Sequence, residues 1–318
     1  MARTHPLSGK LVTVVGGSGF LGQYVAQALL ERGARVRIAG RNPEKAFRLK
    51  PLANLGQLQF ARCDLGNAAS RKAVVDGADA VVNLVGSFEG DLVALMGKQA
   101  GMLAAEARAA GASAFVQVSA IGADEASAVD YARGKAMGER LVLEAFPGAT
   151  VIRPSIVFGK DDNFLNMFAG LIAMMPVLPV FGPDAPLQPV FVDDVAEAVA
   201  AALADPAKHG GKTYELGGPE VLTMMELNRR IADAQERKRG FIAVPDGVSG
   251  VFAALPGTPM SSDQWALLKG GNVVAPGALG FDKLGIAPRP LGLFLDRWMV
   301  RYRKHGRFTG RAAERVIS

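Results

Sequence analysis

The stretch LVTVVGGSGFLG, residues 11–22, decides the fold. Five residues suited to a buried strand run straight into Gly16-Gly17-Ser18-Gly19-Phe20-Leu21-Gly22, and helical spacing continues through Val25, Leu29 and Leu30. A strand, a glycine turn and a helix in that order open a dinucleotide-binding βαβ unit. Gly16 permits the tight turn, Gly19 lets the backbone approach a pyrophosphate, and Gly22 lets the helix pack close on the strand. The unpaired amides and positive dipole end of that helix then face the phosphates. An ordinary glycine turn would have to produce the strand, the helix and the spacing by coincidence.

Outward from this stretch, short apolar runs alternate with helical ones, the pattern of a parallel sheet with helices on both faces. The strands read LVTVVG (11–16), RVRIAG (35–40), LQFARCD (58–64), AVVNLVG (80–86), AFVQVSA (114–120) and TVIRPS (150–155). Helices are expected at 20–32, 42–54, 67–76, 91–111 and 130–146. The fold class is therefore α/β, with a doubly wound Rossmann core over residues 1–160. Past residue 160 the alternation weakens as Pro and Gly become frequent. PVFV (189–192) and KTYELGG (212–218) are expected to return to the sheet, and 161–318 to form a smaller C-terminal α/β lobe. No repeat or linker separates the two, so one folding unit is expected.

A site for NADH offers a carboxylate to the ribose about 20 residues past the glycines, whereas a site for NADPH offers Arg to the 2′-phosphate. The second strand here ends Ala39-Gly40-Arg41-Asn42, with no carboxylate at its tip. A guanidinium forks onto phosphate oxygens, so Arg41 favours NADPH over NADH. The other reading is a surface arginine in a stretch already made basic by Arg37 and Lys45. Asp64, followed by Leu65, accepts from an adenine amino group or else serves as a helix cap or turn residue. Asn83 to Gly86, with Val85 between, ends the fourth strand in small residues at the point where a nucleotide crosses the sheet edge.

Tyr131 and Lys135 open the helix at 130–146, and their spacing puts both on one face, with Ser119 arriving from the end of the fifth strand. An ammonium near a phenol favours the phenolate, which would make the tyrosine a usable proton donor near neutral pH; the same lysine would reach the nicotinamide ribose. Asp193 and Asp194 read as the cap and first turn of a helix over 194–204, because sequence neighbours do not face one ligand together.

With 318 residues, 49% of them hydrophobic, the chain can bury one large core or a core with a satellite lobe. A single cysteine, Cys63, excludes an internal disulfide and a cysteine-rich metal site and points to a reducing compartment. His5, His209 and His305 fall in expected tails and a turn, so no metal site is expected. The ten residues before the first strand, MARTHPLSGK, have no apolar signal core, so export is not expected. The longest uncharged run, 163–183, carries three prolines and does not read as a membrane span. A net charge of +6 comes without an RNA motif or zinc-finger spacing, so no nucleic acid is expected. The basicity gathers near the end, where Arg297, Arg301, Arg303, Lys304, His305, Arg307 and Arg311 accompany an apolar stripe of Leu291, Phe294, Leu295, Trp298 and Met299. This is a basic amphipathic helix over 291–311, either packed on its own lobe with solvated charges or docked on a membrane surface or partner.

The glycine run and Tyr-x-x-x-Lys together resemble the extended and atypical short-chain dehydrogenase/reductase superfamily. YARGKAMGERLVLEAFPGATVIRPSIVFGKDDNFLNMFA (131–169) and QPVFVDDVAEAV (188–199) resemble, within it, the family of the NADPH-binding, dehydrogenase-like accessory subunit of respiratory complex I and its bacterial relatives. FGKDDNFLN (158–166) is the most family-specific piece, and the likeness extends over most of residues 10–230. The resemblance implies a tightly held NADPH with a structural or assembly role, and complex I peripheral-arm subunits near the membrane as partners. It implies a peripheral seat on the cytoplasmic face of a bacterial inner membrane, or on the matrix side in a mitochondrion. It sets Arg153-Pro154-Ser155-Ile156 at the nicotinamide end, with Pro154 fixing the backbone where the sixth strand stops. Catalytic relatives carry a run of hydroxyl residues after the fifth strand; here Ala120 and Ile121 follow Ser119, which implies a vestigial serine and no turnover. The competing expectation is a soluble NADPH-dependent reductase or epimerase, with Tyr131 as acid/base, acting on a quinone precursor, a sugar nucleotide or another carbonyl compound. A nucleotide-sensing regulator that binds other proteins would use the same glycine run.

Overall fold

A computed structural model describes residues 5–245, 247 and 262–306. The chain divides into two compact units, the first made of Met1–Ser155, Val192–Leu216 and Val274–Pro288, the second of Ile156–Phe191, Gly217–Val273 and Arg289–Ser318.

In the first unit, seven strands form one parallel sheet: β1 (Leu11–Val15), β2 (Arg35–Gly40), β3 (Leu58–Arg62), β4 (Ala80–Asn83), β5 (Ala114–Val118), β6 (Thr150–Pro154) and β7 (Thr213–Leu216). Their order is β7-β6-β5-β4-β1-β2-β3, so the chain reverses its direction of travel between β1 and β4, where Val15 lies beside Asn83. A crevice opens beyond the carboxyl ends of two strands related in this way. Strands β1, β4 and β5 are buried along their whole length, as parallel strands covered on both faces must be. Thr13 is tolerated in mid-strand because its hydroxyl donates to the Val74 carbonyl at 2.7 Å.

The helices of this unit include α1 (Phe20–Glu31), α2 (Ala68–Val75), α3 (Gln99–Ala109), α4 (Asp130–Ala145) and α5 (Val192–Ala204), with α1 against α5 and α3 against α4. The α4 contact depends on missing side chains. A Cβ on Gly138 would sit 2.2 Å from the Met96 carbonyl oxygen, and one on Gly134 would sit 2.8 Å from that of Leu92.

Several expectations change. Residues 43–52 form a 3-10 stretch and not an α-helix, with Pro51 inside it lacking an N–H to give. A π turn at Ala94–Lys98 precedes α3. KTYELGG does join the sheet, as β7 beside β6, but PVFV does not: Val190–Phe191 pairs with Val157–Phe158 in the second unit. Pro189 brings no donor to a ladder, and the place beside β6 is already taken by β7. Asp193 and Asp194 both lie in the first turn of α5, which starts at Val192, rather than spanning its cap.

The second unit contains helices Phe164–Met174, Met224–Ala234 and Gly292–Met299 and the parallel pair Val177–Phe181 with Gly240–Val244. A capping box between Thr223 and Glu226 starts the middle helix. The C-terminal helix is eight residues long and passes into a 3-10 turn at Val300–Tyr302, shorter than the 291–311 expected. Its apolar stripe is used inside its own unit: Leu291, Leu295 and Met299 are buried, and Phe294 stacks on Phe191 at 4.0 Å and on Trp298 at 5.0 Å. Two of the basic residues beyond the helix are tied down as well, Arg301 to the Lys160 carbonyl and the Asn166 side chain, Arg303 to the Ala234 carbonyl and Glu236, whereas Arg297, Lys304 and His305 are exposed. Arg307 and Arg311 lie outside the described residues. Among the described residues no helix is long and apolar enough to cross a membrane.

Candidate functional site

The glycine turn is shaped by what its residues lack. Gly16 has φ +82°, and a Cβ there would meet the Leu84 backbone at 3.2 Å. The Gly19 amide donates to the Gly16 carbonyl at 3.0 Å, and Gly19 then stands as the extended residue before α1. No side chain caps α1, so the amides around Phe20 and Leu21 remain open to a ligand. A Cβ on Gly22 would lie 2.4 Å from the Gly16 carbonyl oxygen, so helix and turn touch backbone to backbone. The Ser18 carbonyl is held at 3.0 Å by the Gln23 amide, whose oxygen in turn accepts from Arg48. A cradle with three side chains absent, opening onto the uncapped first turn of α1, fits a dinucleotide pyrophosphate.

Beyond the tip of β2, Arg41 is exposed and without a hydrogen-bonding partner among the described residues. Arg37, in contrast, is bound to the carbonyls of Val74 and Asp76. Asp64 is a turn residue and no helix cap: its Oδ1 accepts from the Gly66 amide at 2.9 Å, while Asn67 caps α2. Leu65 is buried in the core, and its carbonyl accepts from Arg71 at 2.6 Å.

At the far end, the tips of β4 and β5 meet the start of α4. Asn83 braces the tip, accepting from the Val85 amide at 3.2 Å and donating to Gln117 at 2.9 Å. The Lys135 ammonium donates to the Val85 carbonyl at 3.3 Å and the Val118 carbonyl at 3.1 Å, and a Cβ on Gly86 would lie 3.4 Å from it. Burial lowers its pKa to about 8, against the nearby Glu139 carboxylate, which raises it. Ser119 is buried beside this anchor in sequence, its amide held by the Ile152 carbonyl and its Oγ without a partner. Tyr131 departs from expectation. The ammonium lies 5.8 Å from its ring centre, and burial pushes the phenol up to about 12 in place of the depression foreseen from the spacing. Pro154 closes β6 and is buried, with its carbonyl accepting from Ile121 at 3.2 Å; Ile156 belongs to the second unit, where its amide donates to Asn272 at 2.8 Å.

The family described as NAD dependent epimerase/dehydratase matches residues 12–217. The chain belongs to the NAD dependent epimerase/dehydratase family. This epimerase/dehydratase-family chain is 33% identical to the mitochondrial NADH dehydrogenase (ubiquinone) 1 alpha subcomplex subunit 9 of Arabidopsis thaliana, over 94% of its own length and 80% of the relative's. It is 32% identical to the Rattus norvegicus protein of the same name, over 94% and 82%. Among solved structures it is similar in fold to Citrobacter sp. triphenylmethane reductase complexed with NADP(H), with a TM-score of 0.72 at 19% identity, covering 90% of this chain and 99% of the other.

Three features of this family member are not legible from residue spacing. Phe88 stacks on Tyr131 at 4.6 Å, signalled only by an aromatic two residues past Gly86. Glu139, one turn beyond Lys135, grips Arg153 with two bonds of 2.9 and 2.6 Å, and Arg153 also reaches Glu215 at 3.3 Å. Gln23 secures the turn from inside α1.

Proposed function

We propose that this protein holds NADPH as an accessory or assembly subunit of respiratory complex I, the NADH:quinone oxidoreductase, without turnover of its own. The observation that carries the reading is the 33% identity over 94% of the chain to a subunit of that enzyme. The pyrophosphate would rest on Gly16, Ser18, Gly19, Phe20, Leu21 and Gly22, the 2′-phosphate on Arg41, and the adenine beside Asp64 and Leu65. Val85, Gly86, Ser119, Tyr131, Lys135 and Pro154 would border the nicotinamide end. A bound nicotinamide supplies hydride chemistry, but the phenol here is raised to about 12, which makes it a reluctant proton donor and supports retention over catalysis. Its partners are peripheral-arm subunits near the membrane, and its place is the inner face of the bacterial membrane or its mitochondrial counterpart.

Blue-native separation of solubilised membranes tests this directly. The protein should co-migrate with complex I and release intact NADPH on denaturation. Full retention of the protein by membranes stripped of complex I would sink the assignment.

A second reading, an NADPH-dependent reductase, is favoured by the presence of both Tyr131 and Lys135 and by 28% identity over 74% of the chain to a ceramide reductase of Caulobacter vibrioides. Carbonyl-dependent NADPH oxidation that vanishes in Tyr131→Phe would promote it.

A further inference from the structure

Phe88 and Tyr131 stack with ring centres 4.6 Å apart and planes 10° from parallel, so no third ring fits between them. Phe88 is nevertheless 54% exposed, unlike a core residue. It stands on a short surface turn in which the Ser87 hydroxyl bonds both the amide and the carbonyl of Glu89 at 3.0 Å, and Gly90 follows with φ +83°. The ring can therefore leave Tyr131 without unpacking the sheet. Two polar groups of the same site are unused. The Tyr131 hydroxyl makes no hydrogen bond among the described residues, and Ser119 Oγ is buried with no partner, directly after the Val118 carbonyl that Lys135 holds. A buried hydroxyl left unpaired is unfavourable, and a ligand oxygen would relieve it.

We propose that the face of Tyr131 is a subsite for a planar conjugated ring carrying an oxygen substituent, and that Phe88 fills it as an internal competitor. This rests on the reading that Tyr131 marks the nicotinamide end of a nucleotide site. An incoming flat ring takes over the stacking surface that Phe88 gives up, and its oxygen meets the idle hydroxyls. A puckered, saturated ring must also displace Phe88 but regains no stacking, so the device selects flat ligands over sugar-like ones.

The test titrates 2-naphthol and its saturated counterpart decahydro-2-naphthol by calorimetry into the NADPH-loaded full-length protein, as wild type and as Phe88→Ala. The flat alcohol should bind about two- to tenfold more tightly than the saturated one, and Phe88→Ala should tighten it a further three- to tenfold or so. Phe88→Leu, which keeps apolar bulk but loses the flat face, should move in the same direction, and Tyr131→Leu should erase the preference for the flat ring. Equal affinity of wild type and both Phe88 variants, or equal binding of the two alcohols, overturns the proposal. Thermal shift with NADPH is read separately. Were NADPH to give no protection while the Phe88 effect persisted in nucleotide-free protein, the nucleotide reading would fall and the ring subsite would stand.

Discussion

The Lys135 ammonium donates to the Val118 carbonyl at 3.1 Å, which ties the second turn of α4 to the end of β5 one residue before Ser119. With the Val85 carbonyl as its other acceptor, the charge is held by backbone dipoles deep in the protein, and its pKa falls from 10.5 to about 8. The folded state therefore binds this proton more weakly than the unfolded state does. Burying the charge is a full penalty below the folded value, and the penalty is relieved as pH rises from about 8 towards 10.5. Relative to Lys135→Met, the wild type should gain about 2 kcal/mol of unfolding free energy between about pH 7 and pH 9.5. Urea unfolding of both proteins at the two pH values measures this, and parallel stabilities would refute the buried ammonium. Tyr131, raised from 10.0 to about 12, acts in the opposite sense only above that window.

Gly138 lies where α4 meets the π turn before α3. In an open helix, replacing glycine with alanine stabilises by about 1 kcal/mol. Here the new methyl would stand 2.2 Å from the Met96 carbonyl oxygen, so displacement of that backbone outweighs the propensity gain. Gly138→Ala should destabilise by about 1–3 kcal/mol, seen as a lower urea midpoint. A higher midpoint would show that the helices are farther apart than described.

In the proposed site Arg41 would meet the 2′-phosphate, the group that distinguishes the two pyridine dinucleotides. Arg41→Ala should weaken NADPH binding roughly 10- to 100-fold, the size of one lost charge-assisted contact. NADH binding should stay within about twofold, since nothing in NADH occupies the 2′-phosphate position. Calorimetry with both nucleotides decides it, and an equal loss for the two would make Arg41 an ordinary surface charge.

Arg153 lies between the nearly buried carboxylates of Glu139 and Glu215. Removing the guanidinium leaves both without their counter-charge, so Arg153→Met should cost about 3–5 kcal/mol. Adding Glu139→Gln should recover part of the loss, because one stranded charge goes with it. If the double variant is no more stable than the single one, the pair does not act as a charge cluster.

The fold was legible where backbone chemistry and burial write the same message. The run 11–22 had to be a strand, turn and helix because its glycines and its apolar residues admit no other arrangement. PVFV was misplaced because two paired residues carry the apolar signature of any buried strand, and periodicity does not say which sheet receives them. In the candidate site, spacing puts Tyr131 and Lys135 on one face of α4, but it does not give the direction of the tyrosine's shift. That sign depends on 5.8 Å of separation and on a stacked Phe88, both products of tertiary packing. Gly134 and Gly138, four apart on the helix of Lys135, are the sequence hint of its close contact with Leu92 and the π turn before α3.

The first unit draws its last strand and its α5 helix from residues 192–216, after the chain has already passed through 156–191. Until β7 arrives, the outer rim of β6 offers bare amides and carbonyls to any neighbouring chain. A nascent chain of only the first 160 residues thus holds six of the seven strands with one rim bare, and a C-terminal truncation within 161–212 should accumulate as aggregate rather than as a smaller nucleotide-binding protein.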